Sequence, residues 1–280
     1  MTREGLRAGV VRRLSYSLLQ ARLFGAPPPM LGRFEVRRKL GEGGMGAVFE
    51  AVDPRLGRSV ALKVLRDDGG RSARVDISHE ARMLARLSHP NVVIVYELGE
   101  EEAEAYVCME YINGPNLGTW IAEHPEATWR DRLHLLLGAA RGLAAAHQAG
   151  VVHRDFKLEN VLIGTDGVPR VTDFGLARVG QPEPTIHADF SRDGPSSSLA
   201  GTPGYMAPEL RTGAPATEKS DQYSFFVALR LALQGVSGTE PRALAALIRQ
   251  GTATSPAQRL ADMSSVITAL EAILAPRILP

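Results

Sequence analysis

Near residue 116 the chain changes its hydrophobic period, and that change sets what it can fold into. Before it, Phe34–Leu40, Ala47–Asp53, Ser59–Arg66, Val92–Leu98 and Ala105–Ile112 read as strands separated by Gly, Pro and acidic turns. One helical pattern, Asp76–Leu87, interrupts them. After it, Leu133–His147 and Leu260–Leu274 repeat apolar residues at spacings of three and four, the period of a helix buried on one face. Strands first and helices later predict an α+β chain with two lobes.

Composition removes several alternatives. The 280 residues carry 32 Lys+Arg against 31 Asp+Glu, a net charge of +1, which argues against general nucleic-acid binding. Cys108 is the only cysteine, so no intrachain disulfide forms and a Cys/His zinc site lacks thiols. No run of 18 apolar residues occurs, and arginines interrupt the start, so neither a membrane span nor a secretory leader is expected. A cytoplasmic setting is expected.

Residues 1–30 stand apart, with five arginines (3, 7, 12, 13 and 22) against one acid, Glu4. Leu6, Val10, Leu14, Leu18 and Phe24 recur at near-helical spacing, and Pro27–Pro29 is expected to end the helix. Two readings stay open: a helix docked on the domain, or a basic helix on a membrane surface. Residues 1–30 also offer a place for a regulatory partner.

Gly41, Gly43, Gly44 and Gly46 form G-x-G-x-x-G. A dinucleotide site needs a helix directly after such glycines and an acid about 20 residues on. Here the β pattern Ala47–Val52 follows, and Ala61–Arg66 holds no acid. A strand–turn–strand hairpin over phosphates fits better, since glycines allow positive φ and close approach of backbone N–H groups. A glycine hairpin with no ligand remains the plain alternative. Lys63 lies within an apolar strand, where an ammonium is costly unless paired. Glu80 shares the apolar face of the following helical pattern with Ile77, Leu84 and Leu87, so the two charges answer each other.

His153–Asn160 precedes the short apolar run Val161–Ile163, and Asp173-Phe174-Gly175 follows. Together these supply the parts of phosphoryl transfer. Asp173 and Asn160 are hard oxygen ligands for Mg²⁺. Asp155 suits the proton of an attacking hydroxyl, and Lys157 the charge on a phosphoryl group.

The glycine loop, Val60-Ala61-Leu62-Lys63, His153-Arg154-Asp155 with Lys157 and Asn160, Asp173-Phe174-Gly175 and Ala207-Pro208-Glu209 occur in order. This set resembles a eukaryotic-like serine/threonine protein kinase, and Ser220–Phe225 and Leu23–Gly25 resemble its bacterial members. The resemblance implies a bilobal kinase-like domain over residues 31–276, with a β-rich N-lobe of about 31–112, a hinge at 110–114 and a helical C-lobe over 115–276. It implies ATP and Mg²⁺ as cofactors, ATP between the lobes, and protein substrates with Ser or Thr acceptors. Lys63 would hold the α/β-phosphates and pair with Glu80; Asp155 would be the base; Asn160 and Asp173 would hold magnesium. Val48, Ala61 and Leu162 would enclose adenine, with Met109 as gatekeeper and the backbone of Glu110 and Ile112 facing its edge. Lys157 and Thr202 would mark the serine/threonine class. Asp221 would brace the catalytic loop, and Glu209 would pair with Arg259. Arg154 would be neutralised by phosphate on the activation loop, with autophosphorylation expected within Ser196, Ser197 and Ser198.

One departure is large. Between Leu233 and the helix expected at Pro241–Gln250, only Gln234–Glu240 remains, so the C-lobe is shortened where similar kinases carry another helix. That opens a rival reading, a nucleotide-binding regulatory scaffold with a truncated docking lobe. Thr185–Leu199, rich in Ser, Asp, Pro and Gly, reads as a mobile loop.

Overall fold

A computed structural model describes residues 9–43, 46–65, 83–102, 104–174, 204–236 and 241–275. They fall into two compact units: residues up to Arg86 with Ile94–Ile112, and Leu87–Val93 with Asn113 onward. The expected helix Asp76–Leu87 lies largely outside the described residues, and the loop Thr185–Leu199 wholly so.

The first unit is an antiparallel sheet of β1 (Met30–Leu31), β2 (Phe34–Gly43), β3 (Gly46–Asp53), β4 (Arg58–Leu65), β5 (Val95–Glu101) and β6 (Glu104–Glu110). The strand order is β1-β2-β3-β4-β6-β5. Alternation along β3, β4 and β6 gives the sheet two different faces. One buries Ala47, Phe49, Ala51, Val60, Leu62, Val64, Tyr106 and Cys108 in the core of this unit. The other carries Val48, Ala61, Lys63, Val107 and Met109, which the strand pairing sets side by side.

Helix α1 (Val10–Phe24) covers the core face, burying Val10 and Leu14 against Phe34 and its neighbours. Its N-cap, Gly9, has no side chain to offer, and the carboxylate of Glu104 takes that role, accepting the Val10 N–H at 3.0 Å. A negative group at a helix N-terminus is also favoured by the helix dipole. Arg13 reaches Glu101 and Glu102 on the same β5–β6 turn at 3.6 and 3.2 Å. The helix ends at Gly25, in the left-handed region at φ 67°, before the prolines expected to stop it.

The strand expected at Val92–Leu98 begins later, at Val95. Residues just before it are engaged elsewhere: Val92 bridges to Val171, and Val93 N–H donates to Val171 O at 3.0 Å.

The second unit is mainly helical: α2 (Leu117–Glu123), α3 (Trp129–Gln148), α4 (Pro208–Arg211), α5 (Glu218–Ala232), α6 (Arg242–Gly251) and α7 (Met263–Leu274). A small hairpin, β7 (Val161–Ile163) and β8 (Pro169–Val171), lies between α3 and α4 in sequence. Helix α3 starts four residues before its apolar pattern because Thr128 and Asp131 form a reciprocal capping box. Its buried face, including Leu133, Leu136 and Leu143, belongs to the core that also holds Phe156, Phe225 and Phe226. At the shortened connection, buried Arg132 on α3 donates to Ala232 O at 2.8 Å, satisfying a carbonyl at the C-terminus of α5.

Candidate active site

In the first unit the glycines differ in what they need. Gly46 sits at φ 132°, and a Cβ there would lie 2.0 Å from Val64 O, so only glycine fits. Gly41 and Gly43 avoid the left-handed region, and a Cβ on either would meet nothing within 4 Å. Positive φ and close packing therefore require one glycine of the motif, whereas at the other two described the absent Cβ leaves the backbone open to approach. Gly44 lies outside the described residues, as do Glu80, Ser196, Ser197, Ser198 and Thr202.

Lys63 is only 4% exposed, between its ladder partners Val48 on β3 and Val107 on β6. Ala61 pairs with Met109 two residues along, so four of the residues assigned to nucleotide binding share one sheet face. Glu110 N–H donates to Ile94 O at 2.8 Å, which fixes the end of β6. Ile112 is buried and closes this unit in sequence.

In the second unit the loop from His153 to Asn160 is held from three sides. From behind, buried Asp221 on α5 accepts the backbone N–H groups of His153 at 2.6 Å and Arg154 at 2.8 Å. The same carboxylate takes the Nε2–H of His147, on α3, at 2.8 Å. Arg154 needs this support, because its φ of 70° lies in the left-handed region, where a long side chain is strained. From beneath, the His153 ring packs between Phe156 and Phe174, at centroid distances of 5.6 and 4.7 Å. Its Nε2–H donates to Thr172 O at 2.9 Å, and Nδ1 accepts from Asp155 N–H at 3.3 Å. Accepting at Nδ1 needs a neutral imidazole, and complete burial pushes its pKa below the ordinary value despite the nearby Asp221 charge.

Within the loop, Asn160 Nδ2 donates to Asp155 O at 2.8 Å, and Asn160 O accepts Thr172 N–H at 2.9 Å. The second bond ties the loop to the strand end that carries Asp173, whose φ is 59°. Lys157 Nζ stands 2.9 Å from Asp155 Oδ2. Asp155, Lys157, Asn160 and Asp173 are thus gathered on one stretch of linked backbone, with Leu162 on β7 just beyond. Sequence reasoning gave no role to His147 or His153. A histidine on the apolar face of α3 is the available signal for the first, and the setting of a buried ring beside Asp155 emerges only from the structure.

Among the described residues no group of three or more His, Cys, Asp or Glu gathers to cage a metal. Mg²⁺ does not require one: it keeps several waters and takes one or two carboxylates with substrate phosphates. Asp173 and the amide of Asn160 fit that demand.

A glycine hairpin beside a buried lysine, and a separate acid-bearing loop braced by a buried aspartate, are the arrangement of a kinase-like chain. The comparisons agree. The family model described as "Protein kinase domain" matches residues 34–270. The probable serine/threonine-protein kinase pknA2 of Bifidobacterium longum is 38% identical over 198 residues, covering 69% of this chain and 25% of that protein. Serine/threonine-protein kinase PknA of Mycobacterium tuberculosis is 36% identical over 217 residues, covering 75% and 48%. PrkC of Bacillus subtilis is 35% identical over 206 residues, covering 73% and 31%. This chain belongs to the protein kinase family, among its bacterial, eukaryotic-like serine/threonine members. It spans between a quarter and about half the length of these three relatives. Among the described residues no helix is long and apolar enough to cross a membrane.

Proposed function

We propose that this chain transfers the γ-phosphate of ATP to Ser or Thr hydroxyls of proteins. The observation that carries the reading is the construction of the Asp155 loop: a carboxylate 2.9 Å from an ammonium, on a backbone pinned by buried Asp221 and tied to Asp173 through Asn160 and Thr172. A site that only bound nucleotide would have no use for a positioned base.

Asp155 accepts the proton of the attacking hydroxyl as the new O–P bond forms and the bond to the β-phosphate oxygen breaks. Lys157 places positive charge where negative charge develops on the transferred group. Asn160 and Asp173 would hold Mg²⁺, which would supply positive charge to neutralise the phosphates. Lys63 orients the α/β-phosphates with Glu80 as its partner, under the hairpin of Gly41, Gly43, Gly44 and Gly46. Val48, Ala61 and Leu162 take the adenine, with Met109 and the backbone of Glu110 and Ile112 at its edge. Thr202, with Lys157, marks the serine/threonine class.

Purified protein incubated with labelled ATP, Mg²⁺ and a generic protein acceptor should transfer label to Ser or Thr. Asp155→Asn should lower the rate by roughly 10²–10⁴-fold while still binding nucleotide. Equal rates for the two proteins, or ATP binding with no transfer by either, would reject the reading. A second expectation concerns regulation: autophosphorylation places phosphate within Ser196–Ser198, and its charge pairs with Arg154. Phosphopeptide mapping after incubation with Mg-ATP should find that segment modified; an unmodified segment in an active preparation would rule this out.

A further inference from the structure

Helix α1 has a second apolar stripe, on the side away from the sheet. At 100° per residue, Val10, Leu14 and Leu18 make the face that packs on the core. Tyr16, Leu19 and Leu23 fall at spacings of three and four on the opposite face, 62%, 52% and 62% exposed. Phe24 follows at the helix end, 79% exposed. Single exposed apolar side chains need no explanation, but three aligned on one face, with Phe24 beside them at the helix end, form a patch of the kind that marks an interaction surface.

The charges around the patch indicate what covers it. Arg12 extends the stripe toward the helix N-terminus, and Arg22 flanks it; both are exposed. Arg13 is spent on Glu101 and Glu102, whereas among the described residues neither Arg12 nor Arg22 has an ion pair with an acid. The helix sequence VVRRLSYSLLQARLF contains no acid. A second copy of this chain pairing antiparallel through the stripe would bring Arg12 alongside Arg22 of the other helix, with no acid on either to compensate. An anionic lipid surface meets both demands at once: phosphates for the arginines and an acyl boundary for the apolar side chains. A tyrosine where the apolar stripe meets Arg12 suits a layer that is apolar on one side and wet on the other.

We propose that α1 is an interfacial helix that holds the small unit against an anionic lipid surface. Tyr16, Leu19, Leu23 and Phe24 enter the headgroup–acyl boundary, and Arg12 and Arg22 pair with lipid phosphates. The docked face stays on the sheet throughout, held by Glu104 at the helix N-terminus and by Arg13, so docking on the domain and binding to lipid use opposite sides of one helix. The inference does not depend on the proposed phosphotransfer.

Cosedimentation of the full chain with vesicles tests it. Binding to phosphatidylcholine vesicles containing about 30 mol% phosphatidylglycerol should exceed binding to phosphatidylcholine alone by about tenfold or more. It should weaken as salt rises from about 0.1 to about 0.5 M, as the arginine contribution is screened. Leu19→Ser with Leu23→Ser should remove binding to both vesicle types. Arg12→Gln with Arg22→Gln should remove the preference for anionic vesicles. All four positions are exposed, so both double variants should keep the wild-type melting temperature. Folded wild type that does not sediment with anionic vesicles overturns the proposal, as does binding that survives both double variants. So does a dimer, seen by light scattering, that Leu19→Ser with Leu23→Ser dissociates without any vesicle binding.

Discussion

Replacing Asp221 by Ala is expected to abolish most activity without touching any group that meets the substrate. Its carboxylate accepts the backbone N–H groups of His153 and Arg154, and it also takes the Nε2–H of His147. Removing it leaves buried donors unpaired at about 1–3 kcal/mol each. It also frees Arg154 from the left-handed backbone conformation that the Asp221 bond holds in place. The loop would relax toward an ordinary φ at Arg154, moving Asp155 with it. A displacement of about 1 Å at a reacting group costs on the order of 10²-fold. The expected result is a fall in kcat of that size or more, with KM for ATP changed far less, and a loss of about 3–5 kcal/mol of stability. Asp221→Asn should be intermediate, because its amide NH₂ must face at least one of the three N–H donors. Both tryptophans, Trp120 and Trp129, lie in the helical unit, so their fluorescence follows its unfolding directly. A folded Asp221→Ala protein with wild-type kcat would show that the loop is positioned by something else.

How much of this was legible in the sequence depends on what each residue answers to. Strand β3 is readable from its alternation, and β4 and β6 as short apolar runs bounded by turns; both are local signals. Lys63 was readable as an anomaly, a charge in an apolar run. The site residues of the second unit were readable because their chemistry is packed within 155–173. The less legible features are those decided by partners distant in the chain. Strand β1 has two residues and no pattern of its own; it exists through Met30 and Leu31 pairing with Glu35 and Phe34. Val92 and Val93 read as the start of β5, but Val171 claims them across nearly eighty residues of sequence. The bracing aspartate stands 67 residues from Arg154, and only family resemblance, not spacing, suggested its task. The neutral state of His153 follows from a ring sealed between Phe156 and Phe174, which no periodicity reveals. The N-terminal extension shows the same division. Its helix was evident from the 3.6-residue period, yet the carboxylate that starts it, Glu104, lies 94 residues away.

Breaking the Glu209–Arg259 pair is expected to cost the helical unit more stability than any other single surface-to-interior change on α4 or its neighbours. Arg259 is buried with every guanidinium N–H satisfied. Nη1 and Nη2 grip the two Glu209 oxygens at 2.6 and 2.7 Å. Nε bonds Ala253 O at 2.9 Å, Nη1 also bonds Lys219 O at 2.8 Å, and Nη2 also bonds Thr254 O at 3.3 Å. One side chain therefore joins α4, α5 and the connection between α6 and α7. Arg259→Met removes all five bonds and strands a carboxylate and three carbonyls, and losing one partner of a buried pair typically costs about 3–5 kcal/mol. At roughly 2–4 °C per kcal/mol the melting temperature should fall by about 10 °C. Arg259→Lys should recover little, because an ammonium offers three donors with no fork to match the carboxylate. Glu209→Gln should cost less, about 1.5–3 kcal/mol, since shape and part of the bonding persist. The pair also carries a pH signature. Burial pushes the Glu209 carboxyl up, but the Arg259 bonds and charge outweigh it and leave the group below its ordinary value of 4.5. A carboxyl lowered in the folded state stabilises above its unfolded value and loses that contribution as pH falls through the folded one. Wild type should therefore lose the stabilisation of this pair as pH drops below 4.5, while Glu209→Gln should lose none of it. Melting curves of the two proteins between neutral pH and pH 3 should converge as acid titrates Glu209; parallel curves throughout would mean that the ion pair contributes nothing to the fold.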